Sequence, residues 1–251
     1  MNSLIFPDWP APSSVRALST TRAGGVSRTP YDQLNLGTHV GDDPAAVVEN
    51  RRCLRQLAGV SAEPVWLSQV HGSTVVDAAG VTIGTAADAS FSVTPGVVCA
   101  IQTADCLPVL FCDTRGRVVA AAHAGWRGLA DGVLEKTVAA MVEQGALPPD
   151  ILAWLGPAIG PAVFEVGDEV RIGFANIDPA ATTAFVPHGD GKWLADIFLL
   201  ARQRLAACGV TRVYGGGVCT VSDPQRFFSH RRDRVSGRQA SLVWLASTSS
   251  R

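Results

Sequence analysis

Residues 104–128 are ADCLPVLFCDTRGRVVAAAHAGWRG, two apolar runs divided by a short polar break at 114–116. Such a break between apolar, β-branched runs predicts an antiparallel β-hairpin. If Asp113 pairs with position 116 or 117, Cys106 falls opposite position 123 or 124, and position 123 is a histidine. The stretch therefore predicts that Cys106 and His123 lie within side-chain reach of each other at one end of the hairpin.

A second histidine lies at the end of another predicted strand. His71 closes the run WLSQVH and is followed by a glycine, while Cys106 and His123 also stand where strands give way to loops. Strand ends favour functional sites. One cysteine and two histidines form a coherent ligand set for zinc, with one coordination position left for water. From the residues alone, a metal site and a Cys–His nucleophile pair both remain open.

Helical periodicity appears in three segments outside the hairpin. Asp43 is a candidate cap for a helix that begins at Pro44 and ends before Gly59, and two further helices are predicted over 129–144 and 193–208. Apolar runs predict the strands 64–70, 96–103, 108–113, 117–123, 151–155, 211–214 and 239–245. Because strands and helices mix without strict alternation, linker or repeat, we predict one domain over 1–251. Its class is α+β (mixed α/β), with mixed β-sheets flanked by helices.

The composition excludes several classes of protein. Charged residues make up 17% of the 251 residues and the net charge is -1, so no global field favours nucleic acid or an acidic membrane. Six cysteines without a CxxC pair argue against a disulfide framework or a zinc ribbon. The first residues lack the features of a signal peptide, and no apolar run is long enough to span a membrane. We expect a cytoplasmic protein that acts on a small molecule, with no nucleic-acid or membrane partner and an open oligomeric state.

Strings spread over most of the chain resemble the YfiH family, also called the laccase-domain or polyphenol oxidase family. From about Thr20 to Leu245 they are TTRAGGVS, YDQLNLGTHVGDD, ENR, QVHG, TADCLPVLF, AAHAGWRG, LGPAIGP, FEVGDEV, FFSHRRD and GRQASLVWL. The combination of ADCLPV and HAGWRG is highly specific. Two departures stand out: His230 replaces a frequent tyrosine at the expected pocket edge, and DASFSV at 88–93 replaces a commoner DALVT-like string.

The resemblance implies a single α/β domain and a metal, usually Zn²⁺, held by His71, Cys106 and His123. It also implies an enzyme of purine nucleosides, with phosphorolysis of adenosine, inosine and methylthioadenosine and deamination of adenosine. Cu²⁺ is the alternative metal, because the older family name implies copper-dependent oxidation of phenols. Some bacterial members are instead called peptidoglycan editing factors.

Further candidates for the site lie in or beside the family-like strings. Phosphate needs hydrogen-bond donors, and arginines supply them bidentately. The candidate arginines are Arg22, Arg127, Arg231 and Arg232. Asn35 is a candidate substrate contact or a left-handed turn residue. Asp88 and Asp105 are candidates for proton transfer or for orienting a metal-bound histidine, and Asp105 can equally cap a turn.

Three other functions remain as alternatives. In a metal-free hydrolase, including one that edits peptidoglycan precursors, Cys106 would be the nucleophile and His123 the base. A copper oxidase fits poorly, because the chain has five histidines and only two of them belong to the predicted site. A non-enzymatic binding protein would leave the ligand-like triad unexplained. The metal hypothesis and the nucleophile hypothesis differ at His71, which is indispensable only in the first.

Overall fold

A computed structural model describes residues 3–247, whose strands form three sheets. In chain order the strands are β1 (Leu4–Ile5), β2 (Val15–Thr20), β3 (Val65–Trp66), β4 (Val75–Asp77), β5 (Ala89–Ser92), β6 (Val98–Thr103), β7 (Leu107–Asp113), β8 (Val119–Ala124), β9 (Ile151–Leu155), β10 (Glu165–Gly167), β11 (Phe185–Pro187), β12 (Lys192–Ala195), β13 (Arg212–Gly215) and β14 (Gln239–Leu245). The α-helices are α1 (Pro44–Ala58), α2 (Trp126–Ala130), α3 (Val133–Glu143), α4 (Asp168–Ile177), α5 (Ile197–Ala207) and α6 (His230–Asp233). Short 3-10 helices span Pro148–Asp150 and Pro179–Ala184.

The sheets are mixed in strand direction. One has the order β1-β2-β14-β6-β3, a second β10-β12-β11, and the third β13-β9-β7-β8-β5-β4. β3 with β6, β4 with β5, and β9 with β13 pair in parallel, and the remaining ladders are antiparallel. This confirms the predicted α+β class with mixed sheets flanked by helices. The domain bounds 1–251 stay a prediction, since both termini lie outside the described residues.

The two larger sheets pack against each other face to face. Leu110 of β7 and Ile101 of β6 belong to the apolar cluster between them. The outer face of the β7–β8 sheet is covered by α3 and α5, through residues such as Leu134, and that of the other sheet by α1, through Leu54. Strands buried on both faces appear in the sequence as continuous apolar runs. In β8, VAAAHA, the exception to such a run is His123.

The first predicted helix is confirmed, and the other two need correction. Asp43 accepts a hydrogen bond from the N–H of Ala45, and Gly59 ends α1 in the left-handed conformation. The segment predicted over 129–144 is two helices, because Gly132 at φ 84° interrupts it between α2 and α3. In the segment predicted over 193–208, residues 193–195 belong to β12, and Asp196 caps α5 by accepting from the N–H of Leu199.

The hairpin forms, but its predicted register was wrong by one or two residues. His123 pairs with Pro108, and Cys106 lies just before β7. The cause is the Asp113 carboxylate, which accepts from the N–H groups of Arg117 and Val118 and so lengthens the turn. Cys106 and His123 nevertheless remain at the same end of the hairpin. Within the described residues, no helix has both the length and the apolar character needed to cross a membrane.

Candidate metal centre

Side chains from one loop and two strand ends meet at the floor of a cleft. The strand predicted over 64–70 is wrong in extent, because β3 covers only Val65–Trp66 and the N–H groups of 70–72 bond to the Asp88 carboxylate rather than to a neighbouring strand. His71 lies in the loop after β3, Cys106 directly precedes β7, and His123 lies near the end of β8. One potential ligand atom from each lies within 4.8 Å of the other two, and Cys106 Sγ is 3.8 Å from His71 Nε2. His123 is buried, Cys106 is half-buried and His71 is exposed. The donor set therefore faces solvent from one side, as a three-ligand site with an open position requires.

The Asp88 carboxylate organises two of these three residues. It is fully buried just before β5 and accepts a hydrogen bond from His123 Nδ1 at 2.8 Å. It also accepts from the backbone N–H groups of His71 at 2.9 Å, Gly72 at 2.7 Å and Val70 at 3.2 Å. With its Nδ1 proton directed at Asp88, His123 presents Nε2 to the cleft. Of the roles predicted for Asp88, the geometry matches that of orienting a histidine.

Two backbone features bring His71 and Cys106 together. His71 has φ 61°, a left-handed conformation that disfavours a non-glycine residue by about 1–2 kcal/mol. The hydrogen bonds from 70–72 to Asp88 offset that strain. A Cβ atom at Gly125 would lie 3.0 Å from Cys106 Sγ and 3.1 Å from His71 Cδ2. Glycine at 125 is therefore what leaves room for the two side chains.

The charges of the triad are strongly coupled. Burial raises the pKa of the Cys106 thiol, but attraction to His123 and His71 outweighs burial and brings that pKa to about 6. Burial lowers the pKa of His123, whereas the Cys106 thiolate and the Asp88 carboxylate raise it to about 9. Burial also raises the pKa of Asp88, and hydrogen bonds from His123 and Gly72 bring it below its ordinary value. The thiolate is both the metal-ligating and the nucleophilic form of cysteine, so this environment favours either chemistry.

The cleft above the triad has a volume of about 780 Å³, within the range of pockets for small molecules. Its lining is basic: beyond the triad it includes Arg51, Arg127, Arg238, His39 and His230. Among the described residues that line it, none is acidic. Such a cleft suits a polar or anionic small molecule.

Of the four predicted arginines, the structure brings Arg127 to the cleft, where it packs over Trp126. The other three tie loops together away from the cleft. Arg22 donates to the carbonyl oxygens of 32 and 224, and Arg231 donates to that of 165. Arg232 donates to the carbonyl oxygens of 220, 221 and 227. These contacts give the three arginines a structural role, and their predicted contact with substrate stays a prediction.

Asn35 and Asp105 are also held by the protein itself. Asn35 is fully buried, and its side chain bonds to Gly37, to Asp42 and to the backbone N–H of Arg238. The Asp105 carboxylate accepts from Thr220 Oγ1, Ser229 Oγ and the N–H of Arg231. These contacts anchor loops around the cleft. The left-handed turn predicted as one alternative for Asn35 is wrong, since the described non-glycine residues with a positive φ are His71, Asp105 and Arg234. Its contact with substrate stays a prediction, whereas the capping role predicted for Asp105 matches the hydrogen bonds that its carboxylate accepts.

The sequence analysis missed three basic residues of the cleft: His39, Arg51 and Arg238. Each belongs to a family-like string, namely GTHVG, ENR and GRQ. Their charge alone gave no signal, because isolated basic residues in a helix or loop are usually solvated. His230, noted as a departure from the family pattern, does line the cleft as expected.

The chain is similar to known proteins over almost its whole length. The profile of the family described as multi-copper polyphenol oxidoreductase laccase matches residues 16–246. Over 246 residues the chain is 56% identical to purine nucleoside phosphorylase YfiH of Escherichia coli, a match that covers 98% of this chain and 100% of that protein. A purine nucleoside phosphorylase of Pseudomonas aeruginosa is 58% identical over 246 residues, with 98% and 99% coverage.

Solved structures share this fold. A Neisseria meningitidis protein superposes with a TM-score of 0.93 at 52% identity, covering 98% of this chain and 100% of that one. The protein YfiH of Bacillus licheniformis, described as hypothetical, superposes with a TM-score of 0.91 at 30% identity, with 98% and 97% coverage. The arrangement of mixed sheets and helices is therefore shared with solved relatives.

Proposed function

This chain belongs to the YfiH family, within the profile described as multi-copper polyphenol oxidoreductase laccase, and from that premise we propose that it is a zinc-dependent purine nucleoside phosphorylase. Its proposed substrates are adenosine, inosine and methylthioadenosine, with deamination of adenosine as a second activity, in the cytoplasm. The observation that carries the proposal is the convergence of His71, Cys106 and His123 at the floor of a basic cleft. Relatives that match this chain from end to end are named for the same reaction.

The donor chemistry favours zinc over copper. Two imidazoles and one thiolate with an open position match catalytic zinc sites. Blue-copper sites also combine two histidines with a cysteine but commonly add an axial methionine. Met141 is a buried core residue of α3, and no other methionine lies within the described residues. A zinc ion held by the triad would supply Lewis acidity and lower the pKa of a coordinated water toward about 7.

In phosphorolysis, an oxygen of hydrogen phosphate forms a bond to C1′ while the bond from C1′ to purine N9 breaks. The bonding pair leaves with the purine, and the proton of hydrogen phosphate ends on the base, so the products are purine and ribose 1-phosphate. The chain's contribution is to hold the two reactants together in one cleft. Asp88 keeps His123 in one tautomer and one orientation throughout. In deamination, the oxygen of a water molecule instead forms a bond to C6 of adenine. The bond from C6 to the exocyclic nitrogen breaks, and ammonia is released.

Phosphate dependence tests the proposal directly. Purified protein is incubated with inosine, with and without inorganic phosphate, and the sugar products are separated. We expect hypoxanthine and ribose 1-phosphate to form only when phosphate is present. Equal cleavage in both samples, with free ribose as the sugar product, would make the protein a hydrolase. Adenosine incubated without phosphate should release ammonia.

A metal-free cysteine hydrolase is the second candidate, favoured by the proximity of Cys106 to His123 and by the thiol pKa of about 6. In that mechanism Cys106 attacks the substrate and His123 accepts the proton, while His71 is only a wall of the cleft. His71→Ala separates the two candidates, because under the metal mechanism this variant loses zinc and turnover together. A His71→Ala protein that is poor in zinc yet fully active would establish the nucleophile mechanism.

A further inference from the structure

One wall of the cleft gathers basic groups that the metal centre does not use. Arg51 of α1 donates through Nε and Nη2 to the carbonyl oxygen of Leu36, at 3.1 and 2.9 Å. The N–H of Leu36 donates to the carbonyl oxygen of Arg238 at 3.0 Å. The loop that ends at His39 is thereby held between the two arginines. All three basic side chains line the cleft.

The charges on this wall are only partly offset by the protein: Glu63 lies near Arg51, and Cys106 and Asp105 lie near Arg238. Neither Arg51 nor Arg238 forms an ion pair with any described residue. Arg51 Nη1, and Nε and Nη2 of Arg238, have no protein acceptor within the described part of the chain. The nearby Glu63 carboxylate is paired with Arg55 instead. Half-buried cations that form no ion pair are stabilised by an anion bound between them.

The two guanidinium groups are fixed rather than mobile. Arg51 packs over the Trp66 ring, 4.3 Å from its centroid. The backbone N–H of Arg238 donates to Asn35 Oδ1, and its Nη1 donates to the carbonyl oxygens of 236 and 237. The buried side-chain amide of Asn35 therefore positions the backbone of Arg238. Arg238 thus keeps its Nε and Nη2 donors unused, and Arg51 keeps Nη1 unused. Guanidinium groups held in place with free N–H donors are suited to binding phosphate.

We propose that Arg51 and Arg238, with His39 at the rim, form the binding subsite for the inorganic phosphate that attacks the nucleoside. The inference rests on the proposed phosphorolysis and assigns its second substrate to a named wall of the cleft. A nucleoside is uncharged and has no group that needs two guanidinium groups. Hydrogen phosphate is an anion whose oxygens can accept from both. Arg51 and Arg238 line the same cleft as His71, Cys106 and His123. The subsite thus adjoins the triad, as a shared reaction centre requires.

Kinetics in phosphate and inosine separately test the assignment. We expect Arg51→Gln and Arg238→Gln each to raise the KM for phosphate about tenfold to 100-fold, the usual effect of losing charge-assisted hydrogen bonds. The KM for inosine should change by less than about threefold. Arg52→Gln is the matched control, because Arg52 lies next to Arg51 on α1 but is exposed and paired with Glu49. It should keep both wild-type KM values.

Calorimetric titration with inorganic phosphate provides a readout that does not depend on turnover. Wild type and Arg52→Gln should bind phosphate, and Arg238→Gln should bind it at least tenfold more weakly. If Arg51→Gln fails to fold because it releases Leu36, Arg238→Gln decides alone, since its side-chain bonds are local. Wild-type phosphorolysis with an unchanged KM for phosphate in Arg238→Gln would overturn the subsite and leave the proposed function intact. Wild-type cleavage that ignores phosphate would overturn both.

Discussion

Replacing Asp88 by asparagine tests whether the metal centre depends on a residue that does not itself ligate. Oδ1 of Asp88 accepts from the N–H of His71 and from His123 Nδ1, while Oδ2 accepts from the N–H groups of Gly72 and Val70. Asparagine has the same size but offers one oxygen and one NH₂ group. Whichever way the amide turns, its NH₂ group faces two N–H donors that then lack an acceptor.

The magnitude follows from the number of donors left unsatisfied. A buried donor without an acceptor is unfavourable by about 1–3 kcal/mol, so two predict a loss of about 2–6 kcal/mol in the free energy of unfolding. Loss of the partner that orients a metal-bound histidine typically weakens metal affinity about 10–100-fold. We therefore expect Asp88→Asn to unfold at lower urea concentration and to bind zinc about 10–100-fold more weakly in competition with a chromophoric chelator.

Asp113→Asn is the matched control for this experiment. Asp113 is an equally buried carboxylate that accepts from two backbone N–H groups, but it lies at the opposite end of β7 from Cys106. Its substitution should lower the free energy of unfolding without changing zinc affinity. Equal zinc affinity in Asp88→Asn and wild type would refute the idea that Asp88 sets the geometry of the ligands.

Two further predictions concern the space and the charge of the triad. In Gly125→Ala the new methyl group would lie 3.0 Å from Cys106 Sγ and should weaken zinc binding about tenfold. Gly173→Ala is the control, because a Cβ atom there has no other atom within 4 Å, and this variant should bind zinc like wild type. In protein freed of metal, the ultraviolet absorbance of the Cys106 thiolate should disappear as the pH falls through about 6, because a lowered thiol pKa keeps the group ionised above that pH. Cys106→Ser should abolish that transition. Its absence from wild type, or its persistence in Cys106→Ser, would contradict the coupling.

The sequence was informative where local pattern and tertiary position coincide. Cys106 and His123 are polar residues at the ends of continuously buried strands, and a hairpin places them at one end whatever its register. The register itself depends on Asp113, whose carboxylate accepts from the N–H groups of Arg117 and Val118 and so lengthens the turn. The spacing of apolar residues does not predict these hydrogen bonds. Apolar periodicity that continues across Gly132 predicts one helix over 129–144, but this glycine is left-handed and divides the segment into two helices.

The basic wall of the cleft, formed by Arg51 and Arg238, could not be predicted from local sequence pattern. Arg51 belongs to a helix and Arg238 to a loop almost at the other end of the chain, and their proximity arises through the backbone of Leu36. By contrast, Arg22, Arg231 and Arg232 have the same charge but use their donors to hold loops. A guanidinium group that binds ligand differs from one that braces a loop only in which acceptors surround it, and those are set by the tertiary fold.

Zinc titration of the metal-free protein tests the central claim most directly. Phosphate-dependent cleavage of inosine is followed while zinc is added to protein stripped by a chelator, with His71→Ala titrated beside it. We predict that wild-type activity rises linearly and levels off at about one zinc per chain, since one cluster of three ligands is present in the described residues. His71→Ala should stay inactive at that ratio. Full activity of the stripped wild-type protein before any zinc is added would contradict the account.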